Sequence, residues 1–114
     1  MHNSQIGKLA ERAAASYLKS HGLKLVEENF SCKLGEIDLI MSKATLLIFV
    51  EVRYRANPNY GTGADSISRS KQQKIIRTAK MFLQKNGHLW NQYRFDVVSI
   101  GNDINWIPGA FTLD

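Results

Sequence analysis

Apolar residues recur every three or four positions near the start of the chain: Ile6, Leu9, Ala10, Ala13, Ala14, Tyr17 and Leu18. That spacing lays a single apolar stripe along a helix from about Ser4 to Ser20. His21-Gly22 closes it, since glycine takes the left-handed C′ conformation without steric cost. Glu11 falls at the edge of the stripe, on the Gly7/Leu18 side, so it looks along the core boundary and not straight into water. The period then changes to that of strands. Lys24 to Phe30 is a short run anchored by Leu25, Glu36 to Met41 follows Gly35, and Ser42-Lys43-Ala44 reads as a turn. Thr45 to Tyr54 has a nearly unbroken apolar, β-branched and aromatic first half, the pattern of a central strand covered on both faces. Helical spacing returns in Ile75, Ile76, Ala79, Phe82 and Leu83, predicting a second helix that starts at Ser66–Ser70 and ends at Asn86-Gly87. Tyr93 to Ile100 is a further strand, and Asn105 to Phe111 a last short extended segment broken by Pro108-Gly109.

The order αβββαββ predicts an α/β fold with a mixed sheet flanked by helices. There is no internal repeat and no low-complexity tract. Ala56 to Gly63 is rich in Gly, Pro and Asn and reads as a long loop beside the site, inside one domain spanning residues 1–114.

Composition changes this picture in two ways. Cys32 is the only cysteine, which excludes an internal disulfide and a cysteine zinc cluster within one chain and suits a reducing compartment. No apolar signal segment opens the chain, and its longest apolar run, Leu46 to Val50, is far too short to span a membrane, so a cytoplasmic location is expected. The formal net charge is +5, and it is unevenly spread. Between Arg53 and Arg94 lie Arg53, Arg55, Arg69, Lys71, Lys74, Arg77, Lys80, Lys85 and Arg94, opposed only by Asp65, whereas the signs balance from Met1 to Val52. A basic half beside an acidic cluster suits a polyanion such as nucleic acid; the plainer alternative is a solubilising basic surface.

The acidic cluster is the candidate for chemistry. Glu36 and Asp38 stand two apart on a strand and are expected on one face, with Ile37 and Leu39 on the other. Glu51 and Arg53 repeat the arrangement on the next strand, and a tight turn makes the two strands an antiparallel hairpin. Crowded carboxylates repel and raise one another's pKa unless a cation lies between them. A divalent ion held by oxygen ligands answers that need, polarising a phosphoryl group and activating water, with the cation at Arg53 available to the developing charge. The competing reading is an ion pair of Glu51 with Arg53 or Arg55, and solvated Glu36 and Asp38.

Gly35-Glu36-Ile37-Asp38-Leu39-Ile40, Phe49-Val50-Glu51-Val52-Arg53-Tyr54-Arg55, Lys71 on a helix and Arg94-Phe95-Asp96-Val97-Val98 on a strand together resemble the YraN-like family. That uncharacterised bacterial family is assigned to the restriction-endonuclease-like PD-(D/E)xK fold and is similar to archaeal Holliday-junction resolvases. The resemblance covers nearly the whole chain. It implies that Asp38 is the metal-binding aspartate, that Glu51 is the acidic residue of (D/E)xK with Arg53 at its lysine position, and that Glu11 is the acidic residue on the first helix. The implied centre is thus Glu11, Asp38 and Glu51 around Mg²⁺ or Mn²⁺, with Asp38, Glu51 and Arg53 as catalytic residues. Arg55, Lys71, Lys74 and Arg77 are expected to hold phosphates, with Lys71 also able to support the site. The implied function is a metal-dependent endonuclease acting on branched or otherwise non-standard DNA, working as a symmetric homodimer.

Arg53 departs from the nuclease pattern. Arginine stays protonated and is a poor proton acceptor, so a DNA-binding module of this fold without turnover is a competing expectation. A non-enzymatic scaffold is a third. Trp90, Tyr93 and Trp106 read as packing rather than base-stacking residues. His2, His21 and His88 are scattered, and Asp96 is expected to brace the sheet through an ion pair with Arg94.

Overall fold

The computed structural model describes residues 3–55, 67–86 and 89–112. The expected loop Ala56–Gly63, and His2 and His88, lie outside those residues. The order is α1 (Asn3–Ser20), β1 (Lys24–Cys32), β2 (Gly35–Lys43), β3 (Leu46–Tyr54), α2 (Arg69–Asn86), β4 (Gln92–Ile100) and β5 (Ile104–Phe111). The strands form one sheet in the order β1-β2-β3-β4-β5. Only β3 and β4 run parallel, because α2 crosses between them; the other three pairs are antiparallel. This is the mixed αβββαββ sheet expected from the periodicities.

Alternation along the central strand explains why helices cover both faces. Ile48 and Val50 of β3 join Leu39, Met41 and Val98 under Ala14, Ala15 and Leu18 of α1. Leu47 and Phe49 join Ile40 and Phe95 under Ile75, Ile76, Ala79 and Phe82 of α2. A strand with two buried faces must be apolar at every position, which is the unbroken run seen in the sequence. Trp90 packs near Phe82 and Tyr93 near Phe49, as core and rim residues.

Two local expectations are corrected and a third is refined. The β2–β3 turn is Ala44-Thr45, not Ser42-Lys43-Ala44: pairing runs out to Lys43↔Leu46, and Ala44 turns the chain with a φ of 53°. Pro108-Gly109 interrupts the pairing of β5 between Ile107 and Phe111, as expected, but the segment continues beyond it as one edge strand, Ile104–Phe111. Ile37 and Leu39 do not share a face: Leu39 packs toward α1 and Ile37 toward α2. Strict alternation is lost at Asp38, where β2 parts from β3, whose pairing with it ends at Leu39↔Val50.

Gly35 begins β2 with φ at 154°, and a Cβ there would stand 3.0 Å from Thr78 Oγ1 and 3.7 Å from the Lys74 carbonyl of α2. Gly35→Ala is expected to cost on the order of 1–2 kcal/mol, through positive φ and displacement of α2 from the strand start. Urea denaturation reads this directly, and an unchanged midpoint contradicts it.

Candidate active site at the fork of β2 and β3

Carrying the β2–β3 register one pair further would set Asp38 opposite Glu51. The ladder stops first. Asp38 Oδ2 instead accepts the Val52 N–H at 2.8 Å, so a carboxylate takes the place of a backbone carbonyl. The two strands fork around this side chain. The fork explains why a charged residue is tolerated here: a buried N–H that loses its ladder partner must find another acceptor.

Glu51 follows Phe49 on the α2 face of β3 and is only 5% exposed. Its Oε2 lies 3.0 Å from Lys71 Nζ, on the first turn of α2. Burial pushes the Glu51 carboxyl up to about 7; the neighbouring Asp38 charge adds to the rise, and Lys71 opposes it. Glu11 approaches from the other side. Its carboxyl is also raised to about 7, first by desolvation and then by Asp38, while a hydrogen bond from the Asn29 side chain eases it. Asp38 is therefore the middle member of a chain of three carboxylates, one from each of α1, β2 and β3.

Predicted residues separate into groups. Glu11, Asp38 and Glu51 come together pairwise through Asp38. Among the described residues, however, no three His, Cys, Asp or Glu side chains close around one point as a ready-made metal cluster. Mg²⁺ needs only one or two carboxylates and completes its shell with waters and substrate oxygens, so Asp38 and Glu51 fit such an ion as a two-carboxylate donor set. Arg53 lies two residues after Glu51 on the same strand face, half-buried. Arg55 follows the end of β3. Lys74 and Arg77 are exposed on α2, and Lys71 belongs to the acidic pair as much as to the basic face. Glu36 is exposed; its charge adds to the rise at Glu11, and it lines a cleft of ≈ 270 Å³ with Gly35, Ser68, Ser70, Lys71 and Lys74.

One partner of these acids, Asn29, has no counterpart among the expected residues. Lys71, expected at a phosphate or in support of the site, pairs with Glu51, a contact between residues twenty apart that has no local signal. Asn29 holds Glu11, and here a signal existed: asparagine inside an otherwise strand-like run is disfavoured, and Asn29 sits at φ 53°. A second buried acid, Asp96, is structural. Its carboxylate is fully buried and accepts bonds from Arg94 Nε (2.8 Å) and its terminal NH2 (2.9 Å), Trp106 Nε1 (2.9 Å) and the Gly109 N–H (2.9 Å). That is the bracing role expected of it. No helix among the described residues is long and apolar enough to cross a membrane.

Relatives of similar length surround the chain. It is 49% identical to a UPF0102 protein of Saccharophagus degradans over 99% of this chain and 97% of the relative. It is 47% identical to one from Legionella pneumophila strain Philadelphia 1 over 92% of each chain. A Vibrio vulnificus strain YJ016 protein is 46% identical over 94% of this chain and 92% of its own. The family model for the uncharacterised protein family UPF0102 matches residues 10–100, which include α1 from Ala10 onward, the fork and α2. With that match and these relatives, the chain belongs to the UPF0102 family.

Proposed function

We propose that this protein is a metal-dependent nuclease that hydrolyses phosphodiester bonds in DNA, working from the fork of β2 and β3. The observation that carries the reading is the placing of Asp38 beside the buried Glu51 at the point where the hairpin opens, next to a helix whose outer face is basic. Burying a carboxylate beside another is costly, and a fold retains such a pair where the charge has work to do. Asp38 and Glu51 are the residues that would hold Mg²⁺ or Mn²⁺, and Glu11 would orient Asp38 and the water shell. The bound ion would polarise the scissile phosphate and acidify the attacking water. In the reaction a water oxygen bonds to phosphorus and one P–O bond to a sugar oxygen breaks. The water's proton leaves to solvent and the departing sugar oxygen takes one up.

Lys74, Arg77 and Lys80 are exposed along α2 at spacings that suit a phosphate backbone. Contacts of this kind carry little sequence information, so recognition by DNA shape follows. Arg77→Ala is expected to weaken binding severalfold for every DNA tested and to lower the salt slope of log K by about 1. Fluorescence anisotropy across a salt series reads both.

The reading is tested by binding and cleavage of labelled duplex, single-stranded, flap and four-way-junction DNA with Mg²⁺, Mn²⁺ or EDTA. The Asp38→Ala/Glu51→Ala double variant is the control. Cutting that needs the divalent ion and disappears in the double variant supports the nuclease. Binding without cutting under every ion supports a binding module instead, the reading that Arg53 at the lysine position favours. Absence of both removes the nucleic-acid reading.

A further inference from the structure

Lys71 breaks a local rule. Ser68 Oγ accepts the Lys71 N–H at 3.1 Å, which caps α2 and puts Lys71 in its first turn. That turn holds no acidic residue, only Arg69 and Lys71 as charges, and cations there oppose the helix dipole. A misplaced charge of this kind has its compensation in tertiary contact: Lys71 Nζ stands 3.0 Å from the nearly buried Glu51. Its side chain is nevertheless 47% exposed and borders the open cleft lined by Ser68, Ser70 and Lys74. Among the described residues the ammonium is anchored by Glu51, and the open cleft lies beside it. Arg53, by contrast, makes no ion pair or side-chain hydrogen bond with another described residue.

We propose that Lys71 is a tethered counter-ion of the site. It holds Glu51 while no divalent ion is bound, and on ion binding it is released to the scissile phosphate as the cation of the site. The inference rests on the nuclease reading and adds to it an internal competitor for the metal. A divalent ion carries twice the charge of the ammonium and draws both Asp38 and Glu51, so it displaces a single ion pair. The four-carbon stem of lysine then swings into the cleft without repacking the core, which a rigid, stacked guanidinium would not do as easily. The lysine function of (D/E)xK comes in this way from α2 and leaves Arg53 to phosphate binding.

The experiment titrates Mn²⁺ into metal-free wild type, Lys71→Met and Lys71→Arg, with free Mn²⁺ read by EPR, and then measures DNA affinity in EDTA and kcat at saturating DNA. Lys71→Met is expected to bind Mn²⁺ about tenfold more tightly, because a charged hydrogen-bonded competitor has gone. Its kcat should fall at least about a hundredfold, the loss typical of one electrostatic stabiliser. Its DNA affinity should stay within about threefold, as expected for one phosphate contact. Lys71→Arg, which keeps the charge, should return Mn²⁺ affinity to near the wild-type value. Equal Mn²⁺ affinity in wild type and Lys71→Met overturns the counter-ion role while leaving the nuclease reading intact. Tighter Mn²⁺ binding with undiminished kcat overturns the release to phosphate. A wild type that neither binds Mn²⁺ nor cuts DNA overturns the nuclease reading and this inference with it.

Discussion

Asp96→Ala is expected to lower the stability of the protein by about 3–5 kcal/mol, the usual cost of removing one partner from a buried charge network. Asp96 lies on β4 opposite the place where β5 slips register between the partners of Phe95 and Val97. At that slip, Gly109 turns with a φ of 62° and gives its N–H to Asp96 Oδ1 rather than to a strand. The same carboxylate takes both prongs of the Arg94 guanidinium and the Trp106 indole N–H. Alanine would strand two neutral donors and unlock the edge strand. Arg94 is 34% exposed and can turn to water, so most of the loss comes from the stranded donors and the bulge. Asparagine keeps the shape but aims an NH2 group at one pair of donors, so it is expected to restore little. Chemical denaturation followed by tryptophan fluorescence reads the effect, and a loss under about 1 kcal/mol would contradict the network's structural role.

Glu51→Gln is expected to act in the opposite direction, increasingly as pH rises from about 4.5 to 7. The Glu51 carboxyl rises from 4.5 to about 7 on folding, chiefly through burial. A raised carboxyl contributes stability that is fully present below about pH 4.5 and is lost as pH climbs through 7. The loss is on the order of 3 kcal/mol, from 1.36 kcal/mol per pH unit of difference. Glutamine has the size of the neutral acid and keeps an oxygen for Lys71, so it escapes that loss. At pH 8 in EDTA the variant should therefore unfold at higher denaturant than wild type, and at pH 4 the two should coincide. Saturating Mg²⁺ should narrow the difference at pH 8 by stabilising the wild type alone. A variant less stable than wild type at pH 8 would mean that the Lys71 pair outweighs the burial of charge. Glu11 shifts in the same direction for the same first cause, but its greater exposure lets solvent screen the effect. Stability given up at Glu51 in the ion-free state is the signature of a group held for function.

Periodicity alone was enough for the seven elements, since the apolar stripe of α1, the unbroken run of β3 and the stripe of α2 are local consequences of 3.6- and 2-residue repeats. The shared face of Ile37 and Leu39 was also a local inference, and it failed. Ile37 and Leu39 separate because β2 parts from β3 at Asp38, and a fork between strands leaves no mark in a period of two. The break expected at Pro108-Gly109 was local too and is seen as a slip in register between Ile107 and Phe111; that the strand continues past it depends on its place at the sheet edge, which only the sheet order decides.

The acidic residues themselves were legible from their crowding near the end of an apolar strand. Their partners were legible only in part. Val52 N–H to Asp38, Asn29 to Glu11, Lys71 to Glu51 and Gly109 to Asp96 all join residues ten or more apart, across strands or between helix and sheet. Side-chain propensity acts over a few residues, whereas the neutralisation of a buried charge depends on whatever the fold brings within about 3 Å. The chain's pattern therefore determined where its helices, strands and acids lie, and tertiary packing decided which charge answers which.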